Sequence, residues 1–183
     1  MKVDVIVTSS TLVARTAKER TSTIPIIFIG ISDPVRDGLV ASLARPGGNV
    51  TGISAQYPEL QEKALQITRE ALPKLSSLAV LWDPANPASA AGWKDMEAIA
   101  KNAGVALISV DIQREADIEP ALGAMLRRRP DALHVHIAVY QHHARIVEHA
   151  AMHRLPIMAL NRIWVPKGAL VTYGPDYADM FHR

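Results

Sequence analysis

The sequence predicts an α/β protein built on parallel sheet. Two observations carry this: short runs rich in Val, Ile and Leu recur along the whole chain, and helical patterns separate them one by one. A third is the segment IPIIFIGIS (24–32), nearly continuous in apolar residues, as in strands covered on both faces of a parallel sheet.

The elements follow in order. VDVIVTSS (3–10) reads as a strand ending in hydroxyl residues, and TLVARTAKERT (11–21) as a helix capped by Ser9, Ser10 or Thr11. After the apolar strand, DPVRDGLVASLA (33–44) opens on Asp33-Pro34, a cap followed by a first-turn proline, and is expected to be helical as far as Arg45. Pro46, Gly47, Gly48 and Asn49 then break the chain before NVTGIS (49–54), another strand. ELQEKALQITREALP (59–73) is a helix, with Leu60, Ala64, Leu65, Ile67, Ala71 and Leu72 near one face. LSSLAVLWD (75–83) is a strand, and PASAAGWKDMEAIAKNAG (87–104) a helix stopped by Gly104. Strands over 105–112, 131–138 and 155–161 alternate with helices over 115–129 and 141–154. GALVTYG (168–174) is the last strand, and YADMFHR begins a helix.

Composition narrows the function. With 183 residues the chain suffices for one domain or for two small lobes. Apolar residues at 49% and charged residues at 21% are globular proportions. The net charge is +2, the longest basic run is Arg127-Arg128-Arg129 and aromatics are 5%, which is no footprint of nucleic-acid binding. The absence of cysteine excludes disulfides, thiolate nucleophiles and Cys-based zinc sites. No apolar run approaches the roughly 20 residues that span a bilayer. MKVDVIVTSS, with Asp4 interrupting its apolar run, does not read as a signal peptide. Neither GxGxxG, GxxxxGK[ST] nor GxSxG occurs, and no paired carboxylates form an acid/base motif, so no enzymatic function is expected.

Three stretches, IPIIFIGISDPVRDGLVASLARPGGNVTGIS, AVLWDPANPAS and LVTYGPDYADMF, resemble the ABC-transporter substrate-binding protein family of the tryptophan/tyrosine-binding type. The resemblance extends over essentially the whole chain. It implies a type I periplasmic-binding-protein fold: two Rossmann-like lobes joined by crossover segments, with a small molecule clamped between them. It also implies delivery of an amino acid or related carboxylate to a membrane permease, and a periplasmic or extracytoplasmic location. By this resemblance the first lobe comprises 1–54 and 167–183, and the second 55–166. RPGGN then ends a first-lobe helix, and VTGIS leads into the crossing. Set against the family pattern, Met1 stands where a third strand begins and the chain stops before the last helix. The first lobe is therefore expected to be incomplete. An edge strand at 3–9 with an apolar face is expected to recruit a second copy, giving a homodimer. The rival function is a non-transporting remnant, or a sensor or effector lobe of the same fold, that mainly self-associates.

Candidate ligand contacts lie where parallel sheets bind ligands, at the carboxyl ends of strands. Thr8, Ser9, Ser10 and Thr11 cluster hydroxyls and amides at one such end; helix capping is the plainer reading of each. Asp33 accepts from a ligand ammonium or caps the next helix. Asp83, Asn86 and Ser89 occupy the WDPANPAS loop, where Asn86-Pro87 also reads as a cap. Tyr140 and Tyr173 are candidates for stacking on a ring, and interfacial packing is their plainer role. His134 and His136, His142 and His143, and His149 and His153 suggest zinc by number. They lack a HExxH pattern and converging geometry, so no metal site and no cofactor is expected.

Overall fold

In the computed structural model, which describes residues 3–182, strands and helices alternate as β1 (Ile6–Thr8), α1 (Thr11–Arg20), β2 (Ile26–Ile31), β3 (Val50–Ser54), α2 (Tyr57–Ala71), β4 (Ser77–Trp82), α3 (Pro87–Ala103), β5 (Ala106–Asp111), α4 (Ile118–Arg127), β6 (Ala132–Val135), α5 (His143–Met152), β7 (Ile157–Ala159), β8 (Val171–Thr172) and α6 (Tyr177–His182). Short 3-10 turns occupy Glu115–Asp117, Ile137–His142 and Arg162–Lys167. The strands form two all-parallel sheets, ordered β1-β2-β3 and β5-β4-β6-β7-β8. The chain divides into two units, 1–57 with 175–183 and 58–174.

Unit 1 holds the three-stranded sheet. Ile26, Phe28 and Ile31 of β2 pack with Ala14 of α1, Leu39, Val40 and Val50 into its core. The rest of the strand is less covered: Ile27 is 36% exposed, Ile29 and Gly30 are half-buried, and Val7 of β1 is 58% exposed. This departs from the expectation of a strand buried on both faces. Alternation of buried and exposed residues, not a continuous apolar run, describes β2 as folded.

The helix expected over 33–44 does not form. After one turn the chain closes on itself: Asp37 N donates to Asp33 O at 3.0 Å, Leu39 N to Pro34 O at 2.9 Å, and Gly38 sits at φ +70°. Glycine takes that left-handed conformation without steric cost, so the turn ends where a helix needs to continue. The basic side of α1 holds the turn in place. Lys18 Nζ donates to the carbonyls of Gly38 and Leu39 at 2.7 and 3.1 Å, and Arg15 Nη2 to Asp37 O at 3.3 Å. RPGGN thus follows a bent loop, not a helix.

Unit 2 holds the five-stranded sheet. Its central strands are buried on both faces, and Leu133, Val135, Ile146, Ala159 and Trp164 belong to its main core. Asn86 caps α3 through Ser89 N at 3.1 Å, Pro87 fills the first turn, and Gly104 ends the helix at φ +69°. β8 belongs to this sheet. Leu170 N donates to Ile157 O at 2.8 Å and Tyr173 N to Ala159 O at 3.1 Å, so GALVTYG extends the second sheet and the chain returns to unit 1 only at Pro175. The sequence reading sets 167–174 with the first lobe, whereas this backbone pairing, which the sequence does not display, lays 170–173 beside β7.

Candidate functional site

In a parallel sheet every strand delivers its carboxyl end to the same edge, which collects the loops that meet ligands. In unit 1 that edge carries Thr8, Ser9, Ser10, Thr11 and Asp33. Thr8 Oγ1 accepts from Ser10 N at 3.0 Å, and Ser10 Oγ caps α1 by accepting from Val13 N at 3.4 Å. Thr11 Oγ1 donates to Asp37 Oδ2 at 3.2 Å, which draws the α1 start and the 33–38 turn together. Asp33 Oδ1 accepts from Arg36 N at 2.9 Å, and its other oxygen lies 3.8 Å from Arg36 Nε. The carboxylate thus caps a turn rather than a helix. Ser9 is exposed at the tip of the loop.

In unit 2 the same edge carries Asp83 after β4 and His136 after β6. Asp83 Oδ1 accepts from Ala85 N at 2.8 Å. Ser89 is fully buried: its Oγ accepts from Asp83 N at 3.1 Å and its N–H donates to Asn86 Oδ1 at 3.1 Å. Both groups are engaged in shaping the loop. Tyr140 lies in the 3-10 turn after β6, stacked on His143 with centroids 4.9 Å apart and edge-on to Trp164 at 5.5 Å. Tyr173 follows β8 and is 39% exposed.

His136, which sequence reasoning assigned to the interior of a strand, instead stands just past the end of β6. Its N–H donates to Leu81 O at 3.0 Å, which sets it beside β4. Its Nδ1 accepts from Ala138 N at 3.1 Å, so in the neutral ring the proton sits on Nε2. A Cβ on Gly92 of α3 would stand 3.4 Å from that Nε2 and from Gln61 Nε2, so the missing side chain is what lets α3 close over both. Gln61 Nε2 donates to Gly92 O at 3.1 Å, while its buried Oε1 has no protein partner. The carboxyl edge of unit 2 thus gathers an Nε2–H donor, an amide and the Asp83 carboxylate. Groups of these kinds are the ones that orient small molecules in binding sites generally. Only the HVH pattern inside a predicted strand drew attention to His136, and nothing in the sequence pointed toward Gln61.

Burial holds both sheet histidines neutral. His134 is pushed down to about 3, by burial first and then by the charge of His136. His136 falls to about 4, again by burial, with Asp83 opposing. The unfolded chain titrates both near 6.5, so between pH 6.5 and 4 it binds more protons than the folded chain. Stability is therefore expected to be level above about pH 7 and to fall below it, by about 1.4 kcal/mol per pH unit for each histidine. Melting temperatures from pH 8 to 4.5 check this, and a profile flat across that range contradicts it.

Among the described residues, no group of three or more His, Asp or Glu is placed to hold a metal ion. His149 and His153 stack with centroids 6.4 Å apart, and His149 Nε2 pairs with Glu119 Oε2 at 3.0 Å on the helical surface.

Comparison with known proteins follows the same lines. A family model described as ABC transporter substrate binding protein matches residues 1–182. A tyrosine-binding protein of Clostridioides difficile (strain R20291) is 28% identical over 184 aligned residues, which cover 100% of this chain and 52% of that protein. A conserved domain protein from Vibrio cholerae O1 has a solved structure that matches with TM-score 0.79 and 27% identity, over 98% of this chain and 60% of that one. The structure of an ABC domain from Streptococcus pneumonia in complex with L-Trp matches with TM-score 0.77 and 24% identity, over 97% and 60% of the two chains. The chain thus spans about half the length of its curated relative.

Proposed function

The chain belongs to the ABC transporter substrate-binding protein family, and from that premise we propose that it binds a small amino acid or related carboxylate as the solute-binding component of an importer. Its fold is that of the type I periplasmic binding proteins, α/β with parallel sheets. The observation that carries the reading is the polar furnishing of the strand ends. Thr8 to Thr11 with Asp33 in unit 1, and Asp83, His136 and Gln61 in unit 2, offer hydroxyls, amides and carboxylates suited to a zwitterion. The α1 start adds amides that favour an anion. Tyr140 and Tyr173 supply aromatic surface, and the tyrosine-binding relative makes an aromatic amino acid the first ligand to try. The ligand leaves chemically unchanged. A membrane permease as partner and a position outside the cytoplasm follow from the importer role; among the described residues no helix is long and apolar enough to cross a membrane.

A thermal-shift screen against the amino acids tests this. A compound that binds only the folded chain stabilises it by about 2.7 kcal/mol at a hundred times its Kd, and the melting temperature rises accordingly. A shift confined to one side-chain class supports the reading. A cooperative melt that no amino acid moves contradicts it.

One observation favours a second property, self-association. β1 is an edge strand on which Val7 is exposed, and Val3 and Val5 just before it and Leu12 and Val13 of α1 are exposed as well. Such edges pair with other chains. A dimer is expected in sedimentation at micromolar concentration, and a monomer there speaks against it.

A further inference from the structure

Two tyrosines outside the binding argument stand where the chain leaves unit 1 and where it returns. Tyr57 is the last residue before the chain passes to unit 2, and the return begins at Pro175, two residues before Tyr177. The two are 120 residues apart, yet their hydroxyls are hydrogen-bonded to each other and both side chains are half-buried. Burial, and then the bond to Tyr177, hold the Tyr57 phenol well above the ordinary tyrosine range, so its hydroxyl keeps its proton at neutral pH.

Each crossing is also built onto the carboxyl end of β2. On the outgoing side, Ala55 N donates to Ile31 O at 2.9 Å, and Ser54 Oγ donates to the carbonyls of Ile31 and Ser32 at 3.2 and 3.1 Å. Ser54 Oγ accepts in turn from Gln56 N at 3.1 Å, and Gln56 is left-handed at φ +48°. On the returning side, Asp176 Oδ1 accepts from Ala178 N at 3.0 Å and Asp179 N at 3.3 Å. The Tyr177 ring lies over Gly30 of β2, where an added Cβ would stand 3.0 Å from Cε1. Gly30 itself is at φ +75°, a conformation that suits glycine.

We propose that the Tyr57–Tyr177 pair is a clasp that fastens the two crossings to each other over the carboxyl end of β2, so that they open as one cooperative element rather than as two independent segments. Unit 1 is assembled from two separate stretches of chain, and the clasp is a side-chain bond that spans them. A bond between two hydroxyls is directional and does not fade with salt, unlike a surface ion pair.

Native-state hydrogen exchange on the full chain tests the clasp without a ligand. Tyr57→Phe and Tyr177→Phe each remove one hydroxyl and keep the ring. Either substitution is expected to speed exchange roughly fivefold in both 55–60 and 176–182, the effect of one buried hydrogen bond, with β4 and β6 unchanged. The double variant is expected to show no more than either single one. Gly30→Ala, which pushes the Tyr177 ring away, should reproduce the pattern. Faster exchange only in the segment that carries the substitution, no change in either, or effects that add in the double variant would each overturn the proposal. The unsubstituted chain supplies a control that needs no variant to fold: under a clasp, 55–60 and 176–182 lose protection along one common denaturant curve. Two separate curves would overturn it equally.

Discussion

Replacing Trp164 by alanine is expected to cost about 3–5 kcal/mol and to bring the unfolding midpoint of unit 2 down accordingly. Trp164 is the largest of the fully buried side chains and belongs to the main core of unit 2. It enters that core from the 3-10 turn Arg162–Lys167, which Asn161 caps through Ile163 N at 3.0 Å. Its ring meets Tyr140 edge-on at 5.5 Å and 89°, so truncation also releases the turn after β6. The ring has one flaw: Nε1 is buried without a protein partner. An unsatisfied N–H already costs the folded state, about 1–3 kcal/mol in typical sites. Trp164→Phe, which deletes that N–H with part of the volume, is therefore expected to cost less than half as much as Trp164→Ala. Denaturant unfolding of the two variants checks both statements, and equal losses would show that the indole nitrogen is satisfied in solution.

The second large effect is expected from Gly52→Ala, in the other unit. Gly52 lies opposite Phe28 in the β2–β3 ladder. A Cβ there would stand 2.0 Å from Phe28 O and 2.7 Å from Phe28 Cγ. The carbonyl oxygen cannot retreat without opening the ladder, and unit 1 has only three strands to absorb the change. A loss of about 3 kcal/mol, the upper end for overpacking, is expected. Because the damage is confined to unit 1, melting should split into two steps, with exchange protection lost first in β2 and β3. Gly123→Ala is the matched control. Gly123 lies inside α4 with nothing within 4 Å of an added Cβ, so alanine is expected to stabilise by up to about 1 kcal/mol. A single-step melt of normal midpoint for Gly52→Ala would show that the ladder adjusts.

The alternation of strand and helix was legible because each element of unit 2 carries its own signals. Asn86-Pro87 starts α3 and Gly104 ends it, and the apolar set read along α2 meets its buried face at Ala64 and Leu65, although Gln61 and Thr68 complete that face. Local signals misled where tertiary contacts decide. Asp33-Pro34 opens a turn as well as it opens a helix, and the stop at Gly38 is reinforced by Lys18, a residue twenty positions earlier. β8 is two residues long, and only its pairing with β7 assigns it to a sheet. Of the candidate contacts, Thr8, Ser10 and Asp33 were named because turn chemistry and strand ends leave a mark in sequence, and it is turns and a helix cap that they form. Their partners, such as Asp37 for Thr11, were not. Gln61, His136 and the Tyr57–Tyr177 pair stayed hidden for one reason: each matters through a contact with a distant stretch of chain, and a single sequence records no such pairing.

Binding of an amino acid without its transformation is tested by calorimetric titration of the purified chain with L-tyrosine, run at several temperatures. The account predicts saturable binding at one site per chain, with a negative heat-capacity change from the apolar surface buried by the ring, and ligand recovered intact. L-tryptophan titrated in parallel ranks the two aromatic side chains. Absence of any saturable heat from either compound, in a preparation that melts cooperatively, would contradict the account.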